Sequence, residues 1–393
     1  MTKLSDTPTP RAGHAVIDVD KLLDAAREET GLSDFGDESL FMTALNVTVK
    51  SMNEESHLSN AGAEWQRKVF TRYLTNRLRL VRLLKLHPEI HEQEIREPVA
   101  VAGLQRSGTT KLFLVLGSDP QWLGLKTWEG LSPVPPVEGE ADDRLQYAIE
   151  FCDQINSGIG AAHFVDPYQN EQESLLMYST FCVPWVSPYT PTHSAWTEAI
   201  DFRPVYEDLK TQLQVVQWSR GKEAAGKRWI LKTPSHLQNL EALQDVFPEI
   251  RLVINHRHPK TSVASMLRLT EMAQQKLQSK VDPHGIGRLW LHDLSRARKR
   301  EMEFRDKRGE SAILDVSFSD ILNDSLGVVK RIYEFVDAPL SQTTRDAVAG
   351  WEQANPRGKH GEHKYALEDY GLTSEDIERA FAEYLARFGH LAH

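Results

Sequence analysis

From Asp18 to Glu97 apolar residues recur at steps of three and four. They run Leu22, Leu23, Ala26, then Leu40, Phe41, Ala44, Leu45, then Val69, Tyr73, Leu74, Leu78, Val81 and Leu84. That period predicts amphipathic helices, punctuated by Gly31, Gly36 and Gly62. The Arg- and Lys-rich positions between Arg67 and Lys85 read as a solvated helix face. At Pro98 the texture changes. Pro98 to Gly103 is a short Val-rich apolar run ending in glycine, which predicts a buried strand. Similar runs follow at Trp122–Lys126, Arg228–Leu231, Arg251–Asn255 and Ala312–Val316.

Helical patterns separate most of these runs. One spans Leu237, Leu240, Leu243, Val246 and Phe247, with Thr233 as the expected N-cap and Pro234 at the first helical position. Another spans Val328, Val329, Ile332, Phe335 and Val336. Strands alternating with amphipathic helices predict an α/β fold, a parallel sheet of about five strands with helices on both faces. The expected organisation is a helical N-terminal extension over 1–97 and an α/β domain over 98–393. Within the latter, the aromatic, proline-punctuated stretch 133–220 reads as a helical insertion capping the sheet. Ligands of such sheets bind beyond the carboxyl ends of the strands.

The first strand end carries Gly103-Leu-Gln-Arg-Ser-Gly-Thr-Thr110 and then opens a helix. Backbone amides of such a loop and the helix N-terminus cradle phosphate. The spacing is that of the nucleotide P-loop, G-x-x-x-x-G-K-S/T, but Thr109 stands where lysine neutralises a triphosphate, and Arg106 supplies a cation instead. After Arg251–Asn255 come His256-Arg257-His258-Pro259, a basic cluster where P-loop NTPases place a magnesium-binding aspartate. Arg257 and Ser265 are candidates for a second anion clamp, whereas His256 and His258 read as solvated loop residues. Nearer the C-terminus, Arg357-Gly358-Lys359 lies in a basic, glycine-punctuated stretch that reads equally as a phosphate-closing loop or a solvated turn.

Composition narrows the function classes. The 393 residues carry a net charge of −10, which argues against general nucleic-acid binding while allowing a small anion held by a few basic groups. The two cysteines, Cys152 and Cys182, have no metal-ligand spacing and read as buried thiols of a reducing compartment. The polar, proline-bearing N-terminus lacks a signal-like apolar core, and no stretch reaches the length of a membrane helix. The expected location is cytoplasmic.

These motifs, in this order, resemble those of the sulfotransferases that use 3′-phosphoadenosine-5′-phosphosulfate (PAPS), especially bacterial members with a helical N-terminal extension. Gln105-Arg-Ser-Gly-Thr-Thr110 is similar to the family's 5′-phosphosulfate loop, PKSGTT, with Arg106 in place of lysine. Arg257 and Ser265 match its 3′-phosphate motif, Trp229-Ile-Leu-Lys-Thr-Pro234 its strand-end lysine motif, and Arg357-Gly-Lys359 is a reordered form of its RKG element. The resemblance implies P-loop-type topology and sulfuryl transfer from PAPS, without metal, to a hydroxyl or amine of a small acceptor. It makes Arg106, Ser107, Gly108, Thr109, Thr110, Arg257, Ser265, Arg357, Gly358 and Lys359 candidate donor-binding residues. Lys232 and Arg106 become the groups that stabilise the leaving phosphate oxygen. For the base it offers Glu129, preferred here, and His236, with the acidic pair Glu171 and Glu173 as a weaker third choice. A P-loop kinase and a non-catalytic nucleotide-binding protein are the alternatives. The aromatic insertion weakly favours an apolar alcohol or phenol as acceptor.

Overall fold

The computed structural model describes residues 16–137, 139–160, 162–184, 188–356 and 366–392. Three helices open the chain: α1 Val19–Thr30, α2 Ser39–Glu55 and α3 Asn60–Leu86. The sheet strands are β1 Val99–Gly103, β2 Trp122–Leu123, β3 Arg228–Leu231, β4 Arg251–His256 and β5 Ile313–Ser317. Between β1 and β3 lie α4 Thr109–Leu116, α5 Thr127–Leu131, α6 Arg144–Ile159, α7 Ser174–Met177, α8 Pro191–Ala199 and α9 Arg203–Arg220. After β3 come α10 Leu240–Val246, α11 Pro259–Leu277, α12 Pro283–Arg308, α13 Phe318–Asn323 and α14 Ser325–Phe335. The C-terminal part holds α15 Gln342–Ala354, α16 Ser374–Ala380 and α17 Ala382–Phe388. No helix among the described residues is long and apolar enough to cross a membrane.

All five strands are parallel, in the order β2-β3-β1-β4-β5. The period of two decides what each face buries. Ala100, Ala102, Trp229, Leu231, Leu252 and Ile254 enter one core, which is continuous with Phe41, Leu45, Phe70 and Leu74 of the N-terminal helices. Val99, Val101, Ile230, Val253 and Val316 face the other way, against Leu112 and Phe113 of α4 and Val328 and Ile332 of α14. The register pairs Gly103 with Asn255 and Ala100 with Leu231. The carboxyl ends of β3, β1 and β4 therefore open on one edge, with β1 in the middle.

Three local expectations change. The face of α3 is solvated only in part: Lys68 and Lys85 are exposed, whereas Arg72 is 5% exposed and donates to Ser132 Oγ at 2.9 and 2.7 Å and to Asp143 at 2.7 Å. Arg77 lies 4.4 Å from the Phe41 ring centroid and donates to the Phe35 carbonyl. Gly62 does not punctuate a helix; it lies inside α3, where an added Cβ would sit 2.0 Å from the Leu277 carbonyl oxygen. The helix expected from Thr233 onward divides into a 3-10 turn, Pro234–Gln238, and α10, with no side-chain cap from Thr233. Asn239 makes the break, with φ −134° and ψ 29°, and its side-chain amide donates to the Ser235 carbonyl.

Candidate active site

The loop after β1 turns back on itself within five residues. Gly103 and Gly108 have φ of 155° and 88°, and Arg106 adopts φ 67°. A Cβ at Gly108 would lie 2.7 Å from the Phe318 ring, so the loop approaches α13 more closely than a side chain permits. Ser107 is fully buried and its hydroxyl donates to the Leu104 carbonyl, which ties the turn. Gly108 caps α4, leaving the first amides of the helix, at Thr109 and Thr110, without intrahelical acceptors. Arg106 Nε donates to Ser265 Oγ at 3.0 Å, and Arg257 Nη1 donates to the Arg106 carbonyl at 2.6 Å. The Arg257 guanidinium stacks on Phe318, 4.0 Å from the ring centroid. Both cationic strand ends are thus joined through Arg106.

Arg106, Gly108, Thr109, Thr110, Lys232 and Arg257 all line one cavity of about 460 Å³. Its far wall is apolar and comes from elements remote in sequence: Trp65 of α3, Phe151 and Ile155 of α6, and Leu269 of α11. Lys232, 2% exposed, projects from the end of β3 with Nζ 3.7 Å from Glu171 Oε1 and 3.4 Å from Gln172 Oε1. His163 Nε2 is 3.9 Å from the other Glu171 oxygen, and both residues line the cavity. Burial lowers the His163 pKa below the usual imidazole value; Glu171 opposes this, while Lys232 and Arg106 add to it. The imidazole is therefore neutral at pH 7 and able to accept a proton.

The sulfotransferase family model matches residues 98–342. That span is more than half of the 393 residues. The chain belongs to the sulfotransferase family. Two solved structures are similar over almost the whole chain. Sulfotransferase STF1 from Mycobacterium tuberculosis is 30% identical with a TM-score of 0.82, covering 94% of this chain and 99% of its own. Sulfotransferase STF9 from Mycobacterium avium is 26% identical with a TM-score of 0.81, covering 97% and 98%. Comparison with curated proteins found no match.

In this sulfotransferase the two expected bases stand away from the cavity lining. Glu129, 6% exposed, pairs with Arg220 through both carboxylate oxygens and accepts the Lys126 amide at 2.9 Å. Three of its acceptor positions are thus used in an ion pair and a helix start. His236 is fully buried, with Nε2 2.5 Å from Glu173 Oε1 and Nδ1 3.0 Å from the Tyr206 hydroxyl. The second Glu173 oxygen accepts the backbone N–H of Lys232 at 2.7 Å. Burial pushes the Glu173 carboxyl up, but His236 and the Lys232 amide outweigh it and hold the carboxyl below the usual range. Glu173 therefore bridges His236 and the backbone at Lys232, and ties the end of β3 to α7.

His256 is also misread by sequence. It is fully buried, 2.7 Å from Asp315 and 3.0 Å from the Tyr384 hydroxyl, while His258 is exposed and caps α11. Ser107 and Ser265 support the loop from outside the cavity lining, and Arg357, Gly358 and Lys359 lie outside the described residues. Both cysteines are buried and unpaired. The residue missed altogether is His163. Its only sequence signal is a polar, chemically capable side chain in a non-periodic loop between two helical patterns.

Proposed function

We propose that this sulfotransferase takes its sulfuryl group from PAPS and passes it to a hydroxyl, or an amine, of a small acceptor lying in the apolar half of the cavity. The observation that carries the reading is the convergence of a glycine loop, a helix N-terminus and three strand-end cations on one cavity with an apolar far wall. A donor with one bridging phosphosulfate and one isolated 3′-phosphate needs two separate anion sites. The loop amides with Arg106 fit the first, and Arg257 with Ser265 fits the second. Cradle glycines whose Cβ would clash leave backbone amides accessible to an anion.

Transfer follows the in-line template, in which positioning and charge stabilisation contribute most. Lys232 and Arg106 neutralise charge that develops on the leaving phosphate oxygen. Neutral His163 accepts the acceptor's proton and Glu171 stabilises the resulting imidazolium. An imidazole suits this task better than a carboxylate, because its ordinary pKa lies nearer neutrality.

The test is transfer of labelled sulfate from PAPS to a panel of phenols, aliphatic alcohols, sterols and glycans. In parallel, the desulfated product, 3′-phosphoadenosine-5′-phosphate (PAP), should raise the melting temperature more than ATP with magnesium does. At 100 times its dissociation constant it should add about 2.7 kcal/mol. Equal stabilisation by ATP, or phosphoryl transfer from it, would replace this reading with that of a kinase. With an acceptor in hand, His163→Asn should slow single-turnover transfer by about 10²–10⁴. If only Glu171→Gln does so, the carboxylate is the base.

A further inference from the structure

Gln105, Gln172, Tyr178 and Pro234 line the apolar cavity and also a second, smaller chamber of about 90 Å³. The two spaces share that partition immediately beside Lys232, whose Nζ is 3.4 Å from Gln172 Oε1. The character changes across it. The far side of the chamber is α12, which presents Trp290, Asp293 and Arg296 at steps of three, one helix face.

These groups are buried without being satisfied. Asp293 is 8% exposed, and among the described residues its Oδ1 has no hydrogen-bond partner. The same holds for Trp290 Nε1 and Arg296 Nη1. Arg296 Nη2 donates to Gln238 at 2.6 Å, and its Nε lies 3.3 Å from Glu198. Burial pushes the Asp293 pKa up to about 6, with Arg296 opposing, so the carboxylate is mostly charged at pH 7. Unpaired buried donors and acceptors of this kind are rare in folded proteins and call for an occupant.

The chemistry selects that occupant. Two donors and one carboxylate acceptor require a group that both accepts and donates. A carboxylate ligand would be repelled by Asp293, and an ammonium by Arg296 and Arg300. A metal ion on Glu198, His292 and Asp293, whose ligand atoms lie within 4.8 Å of one another, would meet the Arg296 guanidinium already held against Glu198. A neutral hydroxyl-bearing group meets every demand.

We propose that the chamber binds the remaining hydroxyls of a polyol head group, so that the acceptor is an amphiphile. Its apolar body lies against Trp65, Phe151 and Leu269, one hydroxyl lies beside His163 and Lys232, and the next crosses Gln172 to Asp293, Trp290 and Arg296. The inference rests on the sulfotransfer reading. It makes Asp293 and Arg296 specificity-determining residues with no part in the transfer step.

The test uses the PAP-loaded protein and two probes with the same chain, 3-octyloxypropane-1,2-diol and octan-1-ol, titrated by calorimetry. The diol should bind at least about 10-fold more tightly, the worth of one added hydrogen bond to a charged group. Asp293→Asn and Arg296→Met should bring the two probes to within about 2-fold by weakening the diol alone. Trp290→Phe, which removes the N–H and keeps a ring, should do the same in part and guards against a variant that fails to fold. Equal affinities in the parent, no binding of either probe, or equal weakening of both in every variant overturns the proposal. The PAP melting shift is read in the same samples. Its loss in the parent sinks the donor reading, whereas an intact shift with no diol preference sinks the polyol subsite alone.

Discussion

The two halves of the cavity are built by different rules. The half proposed for the donor comes from three adjacent parallel strand ends, so its position follows from the sheet register and its residues sit in short contiguous motifs. The half proposed for the acceptor is assembled from Trp65, Phe151 and Leu269, on three helices spread over more than half of the chain. Fixed backbone geometry can hold an invariant anion, and helix faces can be re-shaped without disturbing it. The contrast implies that donor chemistry and acceptor choice are separable properties of this fold.

The strongest challenge to that separation is Lys232→Ala. If Lys232 acts on charge that appears only in the transition state, turnover should fall by about 10²–10³ while PAP affinity changes little. A raised KM with unchanged turnover would make it a binding residue. Arg257→Ala should weaken PAP by about 2 kcal/mol, the low end for losing one partner of a half-buried charge contact. Adenosine 5′-phosphosulfate, which lacks the 3′-phosphate, should bind parent and variant alike in calorimetry. Equal loss for both ligands would place Arg257 in the loop's support, through its bond to the Arg106 carbonyl.

On the other half, Trp65→Ala should raise KM for apolar acceptors about 10-fold, through lost contact area and the lost ring pairing with Phe151 at 5.6 Å. PAP affinity should be unaffected, and a parallel loss would show that the halves are coupled. The smallest expected effect is on pH dependence. His163 has a pKa below the usual 6.5, so the unfolded chain binds its proton first and the native site keeps a neutral imidazole below that pH. The acidic limb of kcat/KM should therefore fall below pH 6.5 and disappear in His163→Asn. A limb above 6.5 would mean that Glu171 outweighs burial.

The same division explains what was legible in the sequence. The five short apolar runs locate the sheet, and the glycine loop, Lys232 and Arg257 follow them because strand-end chemistry is local. The base was not legible. Glu129 looked available because its partner, Arg220, is 91 residues away, and His236 because Glu173 and Tyr206 are 63 and 30 residues away, beyond any local pattern. His163 sits in an irregular loop with no period to mark it. Trp65 and Phe151 carry the same helical spacing as ordinary core residues, and only the tertiary approach of α3, α6 and α11 leaves a space between them. The solvated reading of α3 holds at Lys68 and Lys85 and fails at Arg72 and Arg77 for a related reason: the carbonyls and carboxylates around those two come from other segments.

Arg106 holds a left-handed backbone conformation that suits glycine and taxes a branched-out side chain by about 1–2 kcal/mol. Replacing it with glycine relaxes the turn and removes the guanidinium in a single change. Against that relief stand the two hydrogen bonds the guanidinium donates, to Ser265 Oγ and to the Ala162 carbonyl, so survival of heating in an Arg106→Gly variant reports the balance of the two and not the chemistry of the loop. Screens on this scaffold need to count product as well as folded protein.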